Sequence, residues 1–232
     1  MNMDKKKLEA GLYKKNELIC TWEESGIKEN CINASKIINN KYPTTTKVVL
    51  PNSVTSIGNS AFANCTNLAN IEIQDSVTSI GRSAFSWCES LTSIEIPEGV
   101  TNIGDYAFCR CTKLTSIEIP DSVTSISTAA FQSCQKLTSV TIPSSVTSIG
   151  YCAFHSCENL TSIEIQDGLT SIGDYAFSRC TNLKTMHYNG TQSQWNNIQK
   201  EMYWNMDCPE DMQIICKPYL YLSRKRNVKI YV

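Results

Sequence analysis

Histidine is nearly missing from this sequence: His155 and His187 are the only two in 232 residues. A chain so poor in histidine has few ways to shuttle protons or hold zinc, and neither residue stands at ligand spacing from a cysteine pair. Glycine-rich phosphate loops, zinc-protease motifs and a nucleophile elbow are absent as well. The sequence therefore predicts no enzyme, no cofactor and no metal. An excess of either charge is also missing, with 21 Lys+Arg against 22 Asp+Glu and a formal net charge of -1. That balance argues against nucleic acid as a partner, and the triplet Arg224-Lys225-Arg226 is too short to reverse it. No run of about 18 apolar residues occurs, so no membrane insertion is expected. The charged opening Met1-Asn2-Met3-Asp4-Lys5-Lys6-Lys7 leads into no apolar stretch of signal-peptide length, and the chain as written reads as cytoplasmic.

What is present is a period. Six of the 12 cysteines, Cys65, Cys88, Cys111, Cys134, Cys157 and Cys180, follow one another at intervals of 23 residues, while Cys20, Cys31, Cys109, Cys152, Cys208 and Cys216 keep no period. All six phenylalanines share the spacing: Phe62, Phe85, Phe108, Phe131, Phe154 and Phe177, each after an alanine and three residues before a column cysteine. Leucine recurs from Leu68 to Leu183 and isoleucine from Ile57 to Ile172 in the same rhythm, giving six full repeats between Val48 and Thr185 without an insertion.

Within one unit, Ile94-Glu95-Ile96 alternates apolar and polar as a half-buried strand does, with Glu95 outward. Pro97 ends the strand, and Val100 and Ile103 form a second extended edge. Ala107, Phe108, Cys111 and Leu114 then suit a short helical turn with one buried face. Twenty-three residues of this kind cannot close a core alone, so the coils must stack as a solenoid, with parallel strands about 4.8 Å apart. Stacked equivalent cysteines point the same way and cannot face each other as a disulfide requires, so the column reads as reduced thiols lining the core. Residues 1–46 are expected to cap the first coil, 47–185 to form the solenoid, and 186–232 to supply a last coil and C-terminal cap. Trp195, Ile198, Trp204, Ile214, Ile215 and a final strand from Val228 would do the capping.

The pattern Ile163-Glu164-Ile165-Gln166-Asp167-Gly168-Leu169-Thr170-Ser171-Ile172-Gly173-Asp174-Tyr175-Ala176-Phe177-Ser178-Arg179-Cys180-Thr181-Asn182-Leu183 resembles the BspA-type (Treponema pallidum-type) leucine-rich repeat. Gly11-Leu12-Tyr13 with Ile19-Cys20-Thr21-Trp22-Glu23-Glu24 is similar to a lead-in of gut-bacterial members, and Tyr188-Asn189-Gly190-Thr191 with Gln194-Trp195-Asn196 to a usual last-coil ending. The resemblance implies an α/β leucine-rich-repeat solenoid with a parallel β-sheet on the concave face and short helical turns on the other side. It also implies a bacterial surface or secreted protein that binds host proteins in adhesion, in tension with the cytoplasmic reading above.

Candidate binding residues fall in two columns. The outward strand positions Val49, Glu72, Glu95, Glu118, Thr141, Glu164 and His187 make an acidic stripe suited to a lysine- or arginine-bearing protein partner. Neighbouring glutamates there repel by about 0.8 kcal/mol in bulk-water dielectric, which something must offset. The alternative is a solvated sheet face, since the flanking residues are monotonous Thr and Ser. Trp87 occupies the most variable slot of the repeat, shared with Asn64, Arg110, Ser133, Ser156 and Arg179, and is a contact or a packing residue. His155 is placed outward after Phe154. The glycines at 58, 81, 104, 150 and 173 are read as allowing a tight turn, although Ser127 fills the same slot. A regular threonine column, Thr55, Thr78, Thr101, Thr124, Thr147 and Thr170, completes the surface. The sequence thus points to a protein-binding module, or else to a structural spacer or assembly unit that associates through its ends.

Overall fold

A computed structural model describes residues 9–15, 17–25, 27, 28, 31, 33–217, 220–222 and 229–231. The elements in chain order are β1 (Gly11–Lys14), β2 (Glu17–Thr21), α1 (Trp22–Ser25), α2 (Ala34–Lys41), β3 (Lys47–Val49), β4 (Asn70–Glu72), β5 (Ser79–Ile80), β6 (Asn102–Ile103) and β7 (Ser125–Ile126). They continue with β8 (Ser139–Ile142), β9 (Ser148–Ile149), β10 (Ser162–Ile165), β11 (Ser171–Ile172), β12 (Thr185–Tyr188), α3 (Gln192–Asn197), β13 (Gln199–Lys200), β14 (Gln213–Cys216), β15 (Leu220–Leu222) and β16 (Lys229–Tyr231).

The coils stack in parallel with the register the repeat demands: Ile163 faces Val140 and Met186, each 23 residues away. Alternation along each strand buries Ile163 and Ile165 and leaves Glu164 outside. The phenylalanine column is a continuous stack, with neighbouring ring centroids 5.2–5.5 Å apart and planes within 13°. Beside it the cysteine column is free and buried. Each thiol from Cys88 onward donates across the stack to the phenylalanine carbonyl of the coil before it, as Cys134 does to Phe108 at 3.3 Å. Burial pushes Cys65 up to about 12 and the next five thiols well above the ordinary value, so they stay protonated.

Where a short helical turn was expected, the repeat has a chain of tight turns and no helix. In the coil of Phe85, the N–H groups of Ala84, Ser86 and Cys88 bond three residues back to Gly81, Ser83 and Phe85, while those of Ser83, Phe85 and Trp87 bond forward to Asp105, Ala107 and Cys109 of the next coil. An α-helix would direct every N–H along itself; here alternate donors are needed to hold the stack. The geometry requires a positive φ twice per coil, at Ser83 and Trp87 in this one. The sequence pattern of one buried face was real, but a ladder between coils wins over an intra-coil helix.

Two irregularities of the sequence interrupt the ladders. After the main strand, Gln166 and Asn189 give their N–H to Ile142 and Ile165 of the preceding coil. Pro97, Pro120 and Pro143 stand in the equivalent places and have no N–H to give. The sheet is lost at those three junctions: one sheet ends at β4 and the next begins at β8, with Ile94–Ile96 and Ile117–Ile119 in neither. On the second edge, Gly81, Gly104, Gly150 and Gly173 donate to Ile57, Ile80, Ile126 and Ile149. At Ser127 the hydroxyl replaces the amide as donor to Ile103, at 2.5 Å, and the strands β6 and β7 do not pair. The glycines mark the closest approach of coils rather than a left-handed turn. A Cβ on Gly104 would lie 2.6 Å from the Arg82 nitrogen, and one on Gly173 2.8 Å from Gly150 C.

The two ends differ. At the N-terminal end β1 and β2 form a hairpin that extends the first sheet in the order β2-β1-β3-β4. On the turn edge Ser35 of α2 supplies two of the three donors that a preceding coil would have supplied, its N–H to Ala61 and its hydroxyl to Ala63. At the other end the period lengthens to 28: Thr185 pairs with Gln213, and Ser171 with Gln199. Helix α3 takes up the additional residues, held by a capping box between Thr191 and Gln194. Trp204 meets the last phenylalanine edge-on at 6.2 Å, and Cys208 donates to Phe177 as a seventh member of the thiol column.

Candidate binding face

The stripe residues lie together on the strand face, but they are not equivalent. Val49, aligned with the stripe, is buried beside the added strand β1, where Gly11 is its register partner. Glu72 is half-buried and paired with Lys47 Nζ at 2.5 Å, so the first coil offsets its charge. Glu164 accepts from Asn189 at 2.9 Å and from Gln166 at 3.1 Å, with exposed Thr141 and His187 as its stacked neighbours. Glu95 and Glu118 stack on each other without such relief: among the described residues no ion pair engages either of them or Glu98.

These unrelieved carboxylates sit where the prolines have opened the sheet. A cleft of about 290 Å³ lies between the two coils, lined by Ser93, Ile94, Glu95, Ile96, Glu98, Ser116, Ile117, Glu118 and Pro120. Ile96 and Ile119 keep 8% exposure, whereas their equivalents Ile142 and Ile165 in the zipped coils keep none. Charge repulsion between glutamates accounts for two of the open junctions but not for that between Glu118 and Thr141. Proline accounts for all three. The cleft is therefore set by the backbone, and the glutamates give it its sign. Its chemistry suits a guanidinium or ammonium group on an apolar stem.

Trp87 is not part of this face. It lies on the turn edge, 40% exposed, with the Arg110 guanidinium 4.2 Å from its ring centroid and its own φ at 64°. His155, expected outward, is half-buried on the same edge, with Nδ1 enclosed and unpartnered. Burial and, next, Arg179 hold its pKa below the ordinary value. The threonine column is no free hydroxyl array, because Thr78, Thr147 and Thr170 each donate to the threonine carbonyl one coil back. No group of histidine, cysteine, aspartate and glutamate suited to a metal ion occurs among the described residues. Sequence reasoning missed the cleft and, with it, Glu98 joining Glu95 and Glu118. The Pro-Glu step at Pro97-Glu98 was its only signal.

Comparison with known proteins adds to this geometry. A family model for the BspA type leucine rich repeat region matches in six copies, over residues 35–127 and 101–217. No curated protein matches. Among solved structures, the T. pallidum leucine-rich repeat protein TpLRR is 35% identical, with a TM-score of 0.59 over 61% of this chain and 68% of that one. A leucine-rich repeat protein from Eubacterium ventriosum is 25% identical, with a TM-score of 0.62 over 80% of this chain and 47% of that one. One from Bacteroides ovatus is 25% identical, with a TM-score of 0.51 over 75% and 63%. The chain thus spans less than two thirds of the length of the last two.

Proposed function

Because the chain belongs to the BspA-type leucine-rich repeat family, whose stacked coils offer one extended face, we propose that it is a non-enzymatic protein-binding module. It takes a basic segment of a protein partner along its strand face, across Glu72, Glu95, Glu118, Thr141, Glu164 and His187, with the cleft at Glu95, Glu98 and Glu118 as the anchor point. The observation that supports this reading is the coincidence of an open cleft with three carboxylates that no described cation engages. In the zipped coils elsewhere on the face, Glu72 and Glu164 are already relieved. Trp87 on the turn edge contributes a separate contact at most.

The test is a titration of the isotope-labelled protein with a short peptide of alternating arginine and serine, read by amide chemical shifts. Saturable shifts confined to Ser93–Glu98 and Ser116–Pro120, lost in Glu95→Lys with Glu118→Lys, are the expected result. Small shifts spread over every exposed carboxylate, unchanged by the double substitution, would remove the strand face from the reading.

A further inference from the structure

Among the described residues strand β14 of the C-terminal coil pairs only with β12, and no described strand covers its other edge; β15 and β16 pair with each other in a separate sheet. Trp204, Cys208, Met212, Ile214 and Cys216 pack on the core but remain partly exposed. Of the seven most exposed large hydrophobic residues described, four (Met202, Tyr203, Met206 and Ile215) belong to this coil. Tyr203 stacks on Tyr175 at 5.3 Å, and no described coil covers its other ring face. In the turn ladder, Phe177 and Arg179 donate to Trp204 and Met206, while Asn205 and Asp207, the next donors in the series, have no backbone acceptor among the described residues. The N-terminal end is closed by a hairpin and by Ser35; its edge strand β2 exposes one large hydrophobic residue, Leu18, against four in the C-terminal coil.

We propose that this end is a homodimer interface in which a second copy of the chain adds its Gln213–Cys216 strand antiparallel to the first, about a two-fold axis through Ile214. Three observations select a second copy and this register. Gln213 and Lys217 give their N–H to Lys184 and Gly190 of the coil before. By alternation Ile214 and Cys216 turn their backbone groups to the open edge, so Ile214 can exchange both hydrogen bonds with its own copy. Within Gln213–Cys216 the strand carries no charge, lysine or proline of the kind that usually protects an isolated edge. Asp211, in the turn before the strand, and Lys217, just after it, flank it at equal separation from Ile214, so the two-fold axis brings each Asp211 to the end of the strand pair where the partner's Lys217 lies. Both residues are exposed and, among the described residues, neither makes an ion pair. Pairing also covers Ile214, Cys216 and Met212 as any inner coil is covered.

The experiment is sedimentation velocity on the 232-residue chain from about 1 μM to about 1 mM, a range that spans ordinary homodimer affinities. The expected result is a concentration-dependent dimer that Asp211→Lys weakens by about tenfold or more, and that the double variant with Lys217→Glu restores. Both positions are solvent-exposed, so the variants keep the fold, and the restoration separates a paired interface from a general change in charge. A monomer throughout, or a dimer indifferent to Asp211→Lys, overturns the proposal. Slow exchange of the Ile214 and Cys216 amides in a strict monomer would identify the chain's own C-terminal hairpin as the occupant and overturn it as well.

Discussion

Pro120 occupies the position from which Gln166, two coils further along, gives its N–H to Ile142, and the carbonyl of Ile96 consequently faces a residue with no proton to give. One absent donor leaves a whole junction unzipped, because a strand of three or four residues has few other bonds to hold it. Pro120→Gln should close the junction. The restored bond contributes about 1 kcal/mol, and the loss of proline's restraint on the unfolded chain removes nearly as much, so global stability should hardly change. Amide exchange carries the information instead: the N–H groups of Ile117–Ile119, and the new N–H that the substitution creates, should exchange slowly. Unchanged exchange would mean that the stacked glutamates, not proline, hold the coils apart.

The relation between Ser127 and Ile103 is the same kind of local substitution with a different remedy. Ser127→Gly should return the backbone donor to Ile103 and let β6 and β7 pair, with a net change within about 1 kcal/mol, since glycine costs entropy as it restores the bond. The reverse change is asymmetric. Gly173→Ala sets a methyl group 2.8 Å from backbone atoms of Gly150 and Tyr151, where no flexible side chain can yield, and should destabilise by about 2 kcal/mol. Denaturant melts of the two variants check the pair. Equal small effects would show that the coils can part without cost.

The repeat was legible because every coil solves the same packing problem. Phe62 through Phe177 and Cys65 through Cys180 fell on the core as the period required. Sequence reading failed where the solution is written in backbone geometry. Ala107, Phe108, Cys111 and Leu114 have helical spacing, yet positive φ at Tyr106 and Arg110 turns alternate amides toward the next coil. Cys208 looked unperiodic because a 23-residue rule cannot see a coil lengthened to 28, although Trp204 and Cys208 keep the interval of Ala176 and Cys180. The candidate site was half legible: the glutamate stripe could be read directly, but the cleft needed the recognition that Pro97, Pro120 and Pro143 coincide with three missing donors.

The thiol column makes stability fall with alkali. Burial raises these thiols in the folded protein, Cys65 to about 12, from an unfolded value near 9.0. A raised pKa stabilises the fold fully below the unfolded value and less as pH climbs toward the folded one, since only the unfolded chain then gives up the protons. Stability should therefore be flat below about pH 8 and drop by about 1.4 kcal/mol per pH unit for each buried thiol above about pH 9. Denaturant melts across about pH 7 to 10.5 test this, and Cys134→Ala should flatten the slope. A thiol titration under native conditions at neutral pH should find the column unreactive and, after denaturation, all 12 cysteines free.

Ser35 offers the sharpest test of how the solenoid is sealed. Its hydroxyl donates to Ala63 at 2.5 Å and its amide to Ala61 at 2.6 Å, where an inner coil would offer two backbone amides. Ser35→Ala keeps the amide bond and removes the other, leaving the Ala63 carbonyl to water at a cost of about 1 kcal/mol. In a stack where each coil touches only its neighbours, that loss should stay local. Amides donating across the first coil, such as Ser60, Phe62 and Asn64, should exchange faster, while those around Phe154 and Phe177 keep their protection. Loosening at both ends together would show that the solenoid melts as one cooperative unit, with the N-terminal seal acting on the whole body rather than on its nearest coil.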